Sequence, residues 1–113
     1  MILTLALALA AQKGDYEGEL RERLRAAPAA VLTTSKPAYD LEICVADALT
    51  AVGTPTVLRN GPVNIVIASA MAANEDYIAT VNINKVASGS ELILRVAGRG
   101  WNDRLRTRIE GCL

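Results

Sequence analysis

Cys44 and Cys112 are the only cysteines in the 113-residue chain, and each falls on an apolar stripe with helical spacing. Leu41, Cys44, Val45, Ala48, Leu49 and Val52 recur every three to four residues, as one face of a helix of about four turns does. Trp101, Leu105, Ile109 and Cys112 fall at i, i+4, i+8 and i+11 of a second helix. A Cys44–Cys112 bridge therefore lays the two helices side by side. It closes a loop of nearly seventy residues, for which chain entropy gives a stabilisation of about 4 kcal/mol before native strain is subtracted. The alternative is a pair of buried, reduced thiols. A catalytic redox pair fits less well, because Cys112 lies at a helix C-terminus, where the dipole does not stabilise a thiolate.

The compartment implied by a disulfide agrees with the start of the chain. Ile2 to Ala11 is an unbroken apolar run that ends in small residues and is followed by Gln12-Lys13-Gly14-Asp15. Residues 1–10 read as a secretory signal peptide, with Ala8-Leu9-Ala10 as the small-x-small pattern before cleavage, although no basic residue precedes the run. A buried first helix or strand is the alternative. A membrane span needs about 20 apolar residues, more than this run supplies. The expected product is exported, periplasmic or secreted, without stable membrane insertion after cleavage.

Residues 11–36 read as a tether. Tyr16, Leu20 and Leu24 mark a marginal helix that Gly18 weakens and Pro28 stops, and Thr33-Thr34-Ser35 read as linker. A single α+β domain is expected over residues 37–113, its first helix opening at Pro37 and ending at Gly53. The period then changes to two. Thr56 to Arg59 and Val63 to Ile67 flank Asn60-Gly61, a strong hairpin signal, with Pro62 as a complication for the ladder. Tyr77 to Asn84 alternates with Ala79, Val81 and Ile83 on one side, and Ile78, Thr80, Asn82 and Asn84 on the other. After a Ser88-Gly89-Ser90 turn, Leu92, Leu94 and Val96 face inward, opposite Ile93 and Arg95. The expected fold is a two-layer α+β sandwich, an antiparallel meander of three to four strands with two helices on one face (α-β-β-β-β-α) and one inter-helix disulfide.

Composition narrows the chemistry. The chain has no histidine, which removes the usual general base near neutral pH and the commonest transition-metal ligand. Twelve basic and twelve acidic residues cancel, so no overall field favours nucleic acid. No catalytic residue, metal site or cofactor site is read from the sequence: phosphate loop, nucleophile elbow and zinc spacing are all missing. Asn74-Glu75-Asp76 lacks the alternating spacing of a calcium loop and reads as turn chemistry.

Two surfaces stand out. Asn64, Thr80, Asn82, Asn84 and Arg95 mark the sheet face away from the helices as a binding face; a solvated outer face is the plainer reading. Arg99, Trp101, Asn102 and Arg104 mark an anion site at the start of the last helix. The plainer reading there is a charged helix surface pairing with Asp40, Glu42 and Asp47, with Trp101 as a core anchor. The leading expectation is a small exported, non-enzymatic domain that binds a protein or small ligand through its open sheet face. The alternatives are a periplasmic enzyme or anion-binding protein using the Arg99–Asp103 region, and a structural envelope protein that associates with itself as a homodimer.

Overall fold

The computed structural model describes residues 20–60, 64–70, 77–97 and 102–113. The proposed signal peptide lies outside them, as do residues 11–19, the Asn74-Glu75-Asp76 segment, Arg99 and Trp101. Within them the chain runs through a helical stretch at residues 20–25 (α1), then β1 (Ala30–Thr34), α2 (Ala38–Leu49), β2 (Thr54–Asn60), β3 (Asn64–Ala70), β4 (Tyr77–Val86), β5 (Gly89–Val96) and α3 (Asn102–Glu110). The fold is α+β, with five strands and three helices among the described residues, where the sequence suggested three to four strands and two helices.

The five strands form one sheet in the order β1-β5-β4-β3-β2, every neighbouring pair antiparallel. β2 to β5 is the expected meander. The strand missing from the sequence reading is β1, which lies in the stretch read as tether. Its signal is weak because it is five residues long and its partner is far away in sequence, Ala30 pairing with Leu94 and Thr34 with Ser90. Since β1 and β2 occupy opposite edges, α2, which joins them, crosses the sheet, packing on β2, β3 and β4. Pro55 falls on the edge strand β2, where a residue without an N–H is tolerated. β2 and β3 pair as an antiparallel hairpin, but Asn60, expected in a turn with Gly61, is the last residue of β2 and pairs with Asn64.

One face of the sheet is sealed by α2 and α3. Leu41, Val45 and Leu49 from α2 and Leu105 and Ile109 from α3 are buried against Ile65, Ile67, Val81, Ile83, Leu92 and Leu94. Burying each such side chain stabilises the fold by roughly 1.5–3 kcal/mol. The two helices run antiparallel: Ala51, just past the end of α2, shares a groove with Asp103 and Arg104 at the start of α3, while Lys36, before α2, donates from Nζ to the Cys112 carbonyl at 2.9 Å.

The disulfide joins the helices as the stripes implied, with a Cα–Cα separation of 5.7 Å. Its ends differ in setting. Cys112 is buried, whereas Cys44 is exposed at the flank of α2 that faces α3, off the core-facing stripe where its spacing had put it.

Two serines fix α2 on the sheet. Ser69 Oγ donates to the Leu49 carbonyl at 2.9 Å and Ser90 Oγ to the Lys36 carbonyl at 2.9 Å, so buried hydroxyls of β3 and β5 satisfy backbone acceptors at both ends of the helix. Ser90, read from sequence as part of a turn, belongs to β5. Pro37 is the N-cap and contributes no side-chain hydrogen bond, so the helix begins at Ala38.

Candidate functional site

The second face of the sheet carries the side chains that alternate with the core: Thr80, Asn82 and Asn84 of β4 point away from Ala79, Val81 and Ile83. Strand register arranges this face in rows running across the sheet, perpendicular to the strands. The first row is Arg95, Thr80, Ala68 and Thr56. The second is Val31, Ile93, Asn82, Val66 and Leu58, one residue from each of the five strands. The third is Thr33, Glu91, Asn84, Asn64 and Asn60.

The first row is covered at its centre, while Thr56 is exposed at its end. Thr80 and Ala68 are fully buried, and the Thr80 hydroxyl has no hydrogen-bond partner among the described residues. Arg95 holds the end of α1 against this side of the sheet. Its Nε donates to the Ala26 carbonyl at 2.8 Å, and one Nη donates to Asn82 Oδ1 at 3.0 Å. A guanidinium suits that task, since its planar fork serves two acceptors at once.

The second row is apolar except at its centre, and none of its members is buried. Val31 is 54% exposed and Leu58 38%; Ile93, Asn82 and Val66 are half-buried. The third row is polar throughout, with Thr33 and Asn64 exposed and Glu91 and Asn84 half-buried. An apolar strip bordered by amides, a hydroxyl and one carboxylate offers contact area together with oriented donors and acceptors, as protein-binding surfaces do.

Of the five face residues read from sequence, the structure brings Asn82, Arg95 and Thr80 together beside α1 and puts Asn84 and Asn64 opposite each other in the third row. Val31 and Leu58, the ends of the apolar row, were not among them. Val31 lies on the strand read as tether, and Leu58 takes its place only once β2 is registered on β3. A two-residue turn at Asn60-Gly61 would set Leu58 opposite Val63, so the Leu58–Val66 pair follows only from the observed register.

The proposed anion site is described only in part. The Asn102 backbone begins α3 and Arg104 is exposed on it, lining a groove of about 580 Å³ with Ala51, Asp103, Thr107 and Arg108. The expected charge pairing between α3 and α2 is not seen for Glu42, which binds Arg59 of β2 instead, with Nη2–Oε2 at 2.9 Å. Arg106 pairs with Glu110 one turn along its own helix. Among the described residues, no three of His, Cys, Asp and Glu lie close enough to hold a metal ion, and no helix is long and apolar enough to cross a membrane. No protein-family model, curated protein or solved structure matches the chain.

Proposed function

We propose that the protein is a small exported, non-enzymatic domain that binds a protein partner through the second face of its sheet. The observation that carries this reading is the row Val31–Ile93–Asn82–Val66–Leu58, which spans all five strands without being buried. The opposite face, by contrast, is closed by α2 and α3. An apolar band of that width exceeds the scattered surface residues that need no explanation. Export is supported by the disulfide, which persists in oxidising compartments.

In-cell photo-crosslinking tests the reading. A photoreactive residue at Leu58 is expected to give a discrete adduct, while one at Asp47, exposed on α2, gives none. Val31→Lys, at the far end of the row, is expected to abolish the Leu58 adduct. An adduct of twice the chain mass would identify a second copy as the partner. Failure of Leu58 to crosslink, or an adduct indifferent to Val31→Lys, would refute the assignment of this face.

A further inference from the structure

The end of the sheet beside the start of α2 holds a cleft of about 490 Å³, bounded by Pro37 and Tyr39, Arg59 of β2, Ile65 of β3, and Lys85 and Val86 of β4. Its volume lies in the range of small-molecule sites, and its lining has their character, mostly apolar with a few polar groups at the rim. Ile65 is buried at the inner wall, while Tyr39 stands 73% exposed at the mouth.

Charge narrows the occupant. Arg59 is neutralised by Glu42, whose Oε1 also lies 2.6 Å from Arg59 Nη2. Lys85 makes no hydrogen bond or ion pair among the described residues. The cleft therefore offers one uncompensated cation beside an exposed aromatic ring and an apolar wall. That combination matches a single negative charge attached to a hydrocarbon body. A dianionic phosphate would find one free charge among the described residues, and a cationic ligand would meet repulsion.

We propose that this cleft binds a small organic carboxylate with an apolar body, the carboxylate on Lys85 and the hydrocarbon between Tyr39, Ile65 and Val86. The site is separate from the second face of the sheet and does not depend on its role.

Titration of the isotopically labelled protein with octanoate, below its micellar concentration and followed by amide NMR, tests the site. Saturable shifts are expected at Tyr39, Lys85 and Ala87, with 1-octanol at equal concentration producing none. Lys85→Gln should weaken octanoate binding about fivefold, the worth of one exposed charge contact, and leave the melting temperature unchanged because Lys85 is exposed. Tyr39→Ala, also at an exposed position, should weaken it through lost ring contact. No saturable shift, an equal response to octanol, an unaffected Lys85→Gln variant, or shifts centred on Val31 and Leu58 would each overturn the proposal.

Discussion

Gly89 is a position where the backbone itself dictates the residue. It enters β5 at φ +145°, and a Cβ built there would lie 2.7 Å from Ser35 Cα and 2.8 Å from the Ser35 carbonyl carbon. Both neighbours are backbone, so no rotamer change relieves the contact, and the φ is one that side chains rarely adopt. Close approach of the β4–β5 turn to the end of β1 therefore depends on glycine. Gly89→Ala is expected to destabilise the protein by about 2 kcal/mol or more, read as a lower urea midpoint with an unchanged slope. A midpoint equal to that of the parent would mean that the β1–β5 junction is looser than drawn. Ser69 and Ser90 show the complementary case, where a hydroxyl rather than a missing side chain sets the geometry, each holding one end of α2 to the sheet.

Among the elements, α1 sits at the second face of the sheet, with Arg95 tying its end there. Its described link to the second face is Arg95, through the Ala26 carbonyl and Asn82, and hydrogen bonds to a charged group contribute roughly 1.5–3 kcal/mol. Arg95→Ala is expected to speed amide exchange at residues 20–26 by about tenfold or more, leaving the central amides of β4 and β5 protected. Uniform acceleration across the sheet would show instead that Arg95 supports the strands. The elements also mark how far the sequence could be read. The α2 and α3 stripes, the alternation of β4 and β5 and the bridge between the helices were legible because each rests on periodicity within one segment. β1 was not, because five residues with one half-buried apolar side chain, Leu32, declare a strand only against Leu92 and Leu94. The candidate face was half legible for the same reason. Asn82, Asn84 and Arg95 follow from alternation in their own strands, whereas the row ending in Val31 and Leu58 exists only after five strands are registered. Ser90 carries an ordinary turn signal, and only the placement of α2 gives it another role.

Across the whole molecule, the bridge and the β1–β5 pairing close two overlapping long loops. Cys44 and Cys112 are 68 residues apart, and their link removes conformational freedom from the unfolded chain far more than it adds contacts to the folded one. Replacing both cysteines with serine is expected to lower stability by roughly 2–4 kcal/mol, measured by denaturant unfolding beside the oxidised parent. A loss below about 1 kcal/mol would assign the α2–α3 arrangement to side-chain packing alone. Strand order adds a consequence in time. β1 is synthesised first of the five described strands, yet the strand it pairs with, β5, is the last of them, and Cys44 waits in the same way for Cys112. Both closures are non-local, and such contacts form late because the intervening chain must first be brought together. Such a polypeptide can complete neither its five-stranded sheet nor its cross-link until residues 89–113 have emerged, whatever the β2–β4 meander has already formed.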